Sequence, residues 1–268
     1  MDAETPHPSG SIDAGHPASL FRPPEHEAVI RALIETGLRR PGETIHAEPL
    51  PRNFDRLDCL ERHAYKISVD RAPWCHLTVG QGLEDLWQRM TAMHRACPDI
   101  TSAPLFLRST SIGPALGVAW FDGVPLDNER QSDISSITAV VEHVQRSLAQ
   151  SEQPSTPARA GVEFDAFEQA VLNLPVFSAE EAEFLRARIL PVIRRGAVAG
   201  AHATRMTNGD FVARNILVND RGEVRLIDHE FAKHTHFHAV DPWRWTTFAI
   251  RPNGAGPDMS AHVPPWAE

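Results

Sequence analysis

Asp210, Asn215 and Asp228 are the residues of this chain whose type and spacing could do chemistry. Asp210 and Asn215 lie in Thr207-Asn208-Gly209-Asp210-Phe211-Val212-Ala213-Arg214-Asn215, and the apolar run Ile216-Leu217-Val218 follows. A polar turn, Asn219-Asp220-Arg221-Gly222, leads to a second apolar run that ends in Ile227-Asp228-His229-Glu230. Two short strands joined by such a turn put Asn215 at the start of one and Asp228 at the end of the other, so both can face one cleft. A carboxylate, an amide and a second carboxylate in this order suit phosphoryl transfer from a nucleotide. One carboxylate accepts or orients the proton of the attacking hydroxyl, while the amide and the other carboxylate hold magnesium against the phosphates.

The segment resembles the catalytic core of the aminoglycoside phosphotransferase and choline kinase superfamily, the small-molecule branch of the protein-kinase-like fold. That pattern reads His-Gly-Asp, four residues, Asn, then Ile-Asp-x-Glu. The resemblance covers residues 200–245 and implies Asp210 as catalytic base, with Asn215 and Asp228 as ligands of magnesium and nucleotide. ATP and Mg2+ are the cofactors it implies. Glu230, one strand period beyond Asp228, is expected to assist at the metal. Asn208 stands where the family has a structural histidine, and an amide can likewise donate and accept. Asp241 resembles the family's downstream aspartate that braces the catalytic loop, although a helix N-cap ahead of Pro242 accounts for it as well. Caps and turns are the ordinary uses of Asp210, Asn215 and Asp228 taken singly. Their order, with strands between them, favours the functional reading.

The elements that must position these residues follow from periodicity. Residues 1–24, rich in Pro, Gly and Ser, read as a disordered tail without an apolar signal core. Val29, Ile30, Leu33, Ile34 and Leu38 predict a helix over Glu25–Leu38. Strands are expected over Thr44–Leu50, Leu57–Val69, Trp74–Val79, Pro104–Ser109 and Ala115–Phe121, with a helix over Leu83–Ala96 after the third. This is the order a kinase-like N-lobe over 25–121 requires. Val118–Leu126 resembles the interlobe hinge, where backbone groups of Ala119 and Phe121 would pair with adenine. The remaining 122–268 read as a mainly helical C-lobe carrying the catalytic hairpins, giving a two-lobed α+β fold. Its helices are expected over Ile134–Ala149, capped by Ser132 or Asp133, then Val162–Leu172 after a linker with Pro154, Pro157 and Gly161. Ser178–Arg194 should open with a capping box of Ser178 and Glu181.

The N-lobe departs from the family. Its phosphate loop, Leu50-Pro51-Arg52-Asn53-Phe54-Asp55-Arg56, has no glycine, and Thr78 stands in the third strand where the family has lysine. Glu84 or Gln88 occupies the helix where a glutamate should hold that lysine. Lys66, on the preceding strand, is the candidate replacement, since cross-strand side chains lie about 5 Å apart. An ordinary solvent-facing lysine is the other reading of Lys66. Arg52 and Arg56 are further candidates for phosphate, or plain loop arginines.

Composition narrows the rest. The formal net charge of -9 argues against a nucleic-acid partner and is compatible with a cationic small molecule. The three cysteines, without a C-x-x-C pair, make neither a disulfide framework nor a zinc site. No apolar run spans a membrane, so a soluble, cytoplasmic protein without a membrane partner is expected. His229, His234, His236 and His238 cluster in sequence without companion cysteines, a nonspecific pattern for a transition metal. Trp243 and Trp245 read as core. Acceptor recognition is expected from the helices of 131–195, where Glu142, Glu152, Glu163, Asp165 and Glu168 supply acid. The favoured function is ATP- and Mg-dependent transfer of a phosphoryl group to a hydroxyl of a small molecule or sugar. The alternative is a pseudokinase that binds nucleotide or a partner without turnover.

Overall fold

The computed structural model describes residues 24–50, 62–126, 134–199, 202–238, 241, 242 and 245. The expected tail before Pro24, the loop with Arg52 and Arg56, the Ser132 and Asp133 cap, and Trp243 lie outside the described residues.

The N-terminal part runs α1 (His26–Glu35), β1 (Ile45–Pro49), β2 (Arg62–Val69), β3 (Ala72–Gly80), α2 (Leu83–Ala96), β4 (Pro104–Thr110) and β5 (Gly113–Ala119). The strands make one antiparallel sheet in the order β1-β2-β3-β5-β4. Alternation fixes its two faces. His63, Tyr65 and Ile67 of β2 and Cys75, Leu77 and Val79 of β3 are buried, and most of them join Val29 and Leu33 of α1 in one core. Arg62, Ala64 and Lys66 of β2 therefore share the opposite face with His76 and Thr78 of β3. On that face α2 covers β5, where Leu83 packs with Leu116 and Val118. The rest of that face, over β2 and β3, is turned toward the C-terminal part, where Arg62 meets Glu230, and makes one side of the cleft between the two.

Several boundaries differ from those expected. β2 and β3 meet in a tight hairpin because Asp70 and Arg71 both take positive φ, 49° and 68°, so β3 begins at Ala72 rather than Trp74. The first helix stops at Glu35, since Gly37 turns left-handed at φ 70°. β5 ends at Ala119, two residues short of the expected Phe121.

The C-terminal part continues with β6 (Val124–Pro125), α3 (Ile134–Gln150), β7 (Gln153–Pro154), α4 (Pro157–Leu172), α5 (Ala179–Phe184) and α6 (Leu190–Ala199). Then follow β8 (Ala203–Thr207), β9 (Ile216–Val218), β10 (Val224–Leu226) and β11 (Lys233–Thr235). α4 starts one and a half turns before the expected Val162. Thr156 caps it by accepting from the Arg159 amide, and Pro157 occupies the first helical position, where its missing N–H costs nothing. The Ser178–Glu181 capping box forms as expected. The helix behind it is not regular: Leu185–Ile189 widen into a π-turn between α5 and α6. Pro191, two residues later, cannot donate to the preceding turn and crowds it, which the wider turn relieves.

Buried side chains of α3, β9 and β10, with Phe211, Met206 and Trp245, form the second core. Met93 and Cys97 from α2 enter it, so α2 packs on both parts. Trp245 lies within this core against Phe211, ring centroids 5.6 Å apart. Cys75 and Cys97 are buried free thiols. Among the described residues no helix is long and apolar enough to cross a membrane.

Candidate active site

β8 delivers the chain into Asn208-Gly209-Asp210, a loop held by backbone hydrogen bonds to one carboxylate. Asp241 accepts from the Asn208 amide at Oδ2 and from the Gly209 amide at Oδ1, both at 2.8 Å. Its role as the brace of this loop is thus met directly. Burial pushes the Asp241 carboxyl up to about 6, against the pull of those two amides and with help from the nearby Asp210 charge. Gly209 sits at φ 77°, and a Cβ there would come within 2.6 Å of the Phe231 Cβ and 2.9 Å of its carbonyl oxygen. Only glycine fits.

Asn208 is fully buried and joins this loop to the next one. Its Oδ1 accepts from the Asp210 amide at 3.2 Å. Its Nδ2 donates to the Asp228 carbonyl at 3.1 Å and lies 3.4 Å from the Ile227 carbonyl oxygen and from His229 Nδ1. Burial lowers the His229 pKa to about 4, partly offset by a hydrogen bond to the Leu226 backbone. A neutral imidazole with an unprotonated Nδ1 is what Asn208 requires there.

Asp210 and Asn215 are both buried and touch. Asn215, ending a short 3-10 turn, donates from Nδ2 to the Asp210 carbonyl at 2.9 Å and to its Oδ2 at 3.1 Å. With Nδ2 so engaged, Oδ1 is left as the metal-binding atom of the amide. The β9–β10 hairpin pairs Ile216 with Leu226, so Ile227 donates to the Asn215 carbonyl at 2.8 Å and Asp228 follows beside it. Asp228 takes φ 59°, a left-handed conformation uncommon for a residue other than glycine and typical of strain kept at a functional site. An amide oxygen and a carboxylate are hard donors of the kind magnesium takes, so these two residues fit the ion.

No family model and no curated protein matches the sequence. Solved structures do match the fold. Aminoglycoside phosphotransferase APH(4)-Ia superposes with a TM-score of 0.58 at 13% identity, over 83% of this chain and 78% of the other. An aminoglycoside-3'-phosphotransferase of type VIII does so with a TM-score of 0.52 at 16% identity, over 89% and 90%. Choline kinase LicA from Streptococcus pneumoniae gives 0.52 at 14% identity, over 85% and 76%. The chain has the two-lobed, protein-kinase-like fold of these small-molecule phosphotransferases. A thermostable mutant of APH(4)-Ia, similar to this chain with a TM-score of 0.57, was solved in a ternary complex with ADP and hygromycin B.

Within this phosphotransferase fold the N-lobe side of the cleft carries its charges in unexpected places. Lys66 pairs across the sheet with His76, and its ammonium lies over the Trp120 ring, 4.7 Å from the centroid. Trp120 directly follows β5, so Lys66 stands beside the segment that leads from β5 to Val124. Arg62, four residues earlier on the same face, reaches the other end and binds Glu230, Nη1 to Oε1, at 2.8 Å. Glu230, expected to assist at a metal, is thus paired with Arg62. After β5, Ala119 donates its amide to the Ala103 carbonyl at 2.8 Å, so that amide is already engaged. The Phe121 ring is covered by the Arg225 guanidinium at 5.1 Å. β6 then pairs with β9, Val124 opposite Val218, and ties the segment after β5 to the β9–β10 hairpin.

The histidines have separate tasks. His236 Nδ1 lies 2.7 Å from Glu163 Oε2 and its Nε2 2.8 Å from Ser155 Oγ, while Glu163 also accepts from the His236 amide and the Thr235 hydroxyl. Burial opposes ionisation of Glu163, but these donors and the charge of Lys233 together hold its carboxyl below the usual range. Glu163 thereby fastens α4 to the strand that follows Asp228. Sequence reading missed this cluster and Arg62. The available signal for Arg62 was a second cation at period two on the face of Lys66.

Proposed function

We propose that this protein is an ATP- and magnesium-dependent phosphotransferase acting on a hydroxyl of a small molecule or sugar. The observation that carries the reading is the contact of Asp210 with Asn215, and of Asp228 with both through Asn208 and Ile227. The lobe division near residue 121, with adenine against the 119–123 backbone, and a cytoplasmic location belong to the same proposal.

Asp210 accepts the hydrogen bond of the acceptor hydroxyl and turns an oxygen lone pair toward the γ-phosphorus. The new O–P bond forms as the bond to the β,γ-bridging oxygen breaks, ADP leaves, and the proton ends on Asp210. Asn215 Oδ1 and the Asp228 carboxylate would hold magnesium, whose charge offsets that on the phosphate oxygens. Asn215 Nδ2 meanwhile keeps the Asp210 carboxylate from rotating away. That a neighbour of this fold was solved with ADP and hygromycin B supports a nucleotide and a small molecule as the reactant classes.

A nucleotide-binding scaffold without turnover is the second reading, favoured by the uncharged Thr78 on the cleft face of β3. Asp210→Asn separates the two. Phosphate release from Mg-ATP, alone and with a panel of hydroxylated acceptors, should fall by about 10²–10⁴-fold while Mg-ATP affinity is retained. A basal rate that Asp210→Asn leaves unchanged would favour the scaffold.

A further inference from the structure

We propose that Arg62 is the cation that anchors the nucleotide's phosphates, with Glu230 as the carboxylate that orients it; this rests on the phosphotransferase reading above. Phosphoryl transfer on this fold calls for a positive charge on the phosphates and a carboxylate that holds that charge in place. β3 does not offer the cation, since Thr78 faces the cleft where it is expected. Among the described residues the cleft face of β2 and β3 carries two cations, Lys66 and Arg62.

Position distinguishes them. Four residues of strand separate the two by about 13 Å. Lys66 lies over Trp120 at the hinge, whereas the Arg62 guanidinium binds Glu230, which follows Asp228 by two residues. Two residues of chain span at most about 7 Å, so Arg62 meets the C-lobe next to the candidate metal carboxylate. Its side chain is only 16% exposed, so this pair differs from a solvated surface ion pair.

The guanidinium is also held in a usable orientation. Nη1 takes the charged partner Glu230, while Nε and Nη2 donate to the backbone carbonyls of Gln81 at 2.9 Å and Gly82 at 3.0 Å. Nε and Nη2 form the edge that binds phosphate bidentately. Among the described residues the acceptors on that edge are neutral carbonyls, which a charged phosphate oxygen outcompetes. Glu230 can stay on Nη1 throughout and fix the plane of the fork. The pair thus does from β2 and the loop after β10 what a lysine on β3 and a glutamate on the next helix would do.

The test compares ATP, ADP and adenosine affinities by calorimetry, in magnesium, for the full chain and its variants. Arg62→Gln should weaken ATP and ADP by roughly tenfold or more and leave adenosine unchanged. Lys66→Met should change all three by one common factor, because its side chain lies at the hinge. Arg62→Met, which keeps the aliphatic stem, serves if Arg62→Gln does not fold. ATP affinity equal to wild type in the Arg62 variant, or a phosphate-selective loss in Lys66→Met instead, overturns the assignment while the phosphotransferase reading stands. A wild type that binds no nucleotide sinks both.

Discussion

Asn208 holds two loops with one amide, and that keeps the segments of Asp210 and Asp228 in order. Its oxygen fixes the Asp210 amide and its nitrogen fixes the Asp228 carbonyl. Asn208→Ala leaves those buried groups unpaired, so unfolding by denaturant should show a loss of about 1–3 kcal/mol. Turnover should fall further than stability, because Asp210 and Asp228 lose their common anchor. Two titrating neighbours of Asn208 act in opposite senses. His229, depressed from 6.5 to about 4, contributes stability that is full above pH 6.5 and is lost as pH falls toward 4. Asp241, raised from 3.8 to about 6, contributes stability that is full below pH 3.8 and is lost as pH rises through 6. Between about pH 4 and 6 they therefore oppose each other, each by an amount on the order of 3 kcal/mol. Relative to wild type, melting of His229→Gln should be less weakened by acid over this window, and that of Asp241→Asn more weakened. Parallel curves for all three proteins would count against this account of the loop.

At the scale of elements, the β9–β10 hairpin was legible because everything that makes it is local: two apolar triplets, an Asn-Asp-Arg-Gly turn, and the fixed distance from Asn215 to Asp228. The N-lobe order was legible for the same reason, through period-two burial in β2 and β3. The Asp70-Arg71 hairpin was not, because neither residue announces positive φ as glycine does. Pro191 was visible inside an otherwise helical stretch, and the π-turn before it shows what that proline does. Arg62 with Glu230 could not be read at all, since the partners lie 168 residues apart and meet only when the lobes do. The Glu163 cluster is equally long-range, with 73 residues between Glu163 and His236. Glu163→Ala should release α4 from the β11 segment and leave His236 without its buried partner. Its denaturation midpoint should drop by an equivalent of about 2–3 kcal/mol, with little change in nucleotide affinity. A midpoint unchanged from wild type would remove Glu163 as the fastener.

For the whole molecule, the two lobes are joined at several separate places around the cleft. α2 enters the C-lobe core through Met93 and Cys97, Leu226 donates to the Ile100 carbonyl at 2.7 Å, β6 pairs with β9, and Arg62 binds Glu230. The first three tie the back of the cleft, and the fourth lies beside Asp228, where the phosphates are proposed to bind. A nucleotide with its metal would therefore meet residues of both lobes at once, Arg62 above and Asn215 with Asp228 below. The most direct measurement of this cleft is a calorimetric titration of ATP into the wild type and into Asp228→Asn, each with magnesium and with chelator. The expected result is binding by wild type that magnesium strengthens, with that strengthening lost in Asp228→Asn. No binding by the wild type, or the same magnesium response in both proteins, would contradict a nucleotide cleft built on Asp228.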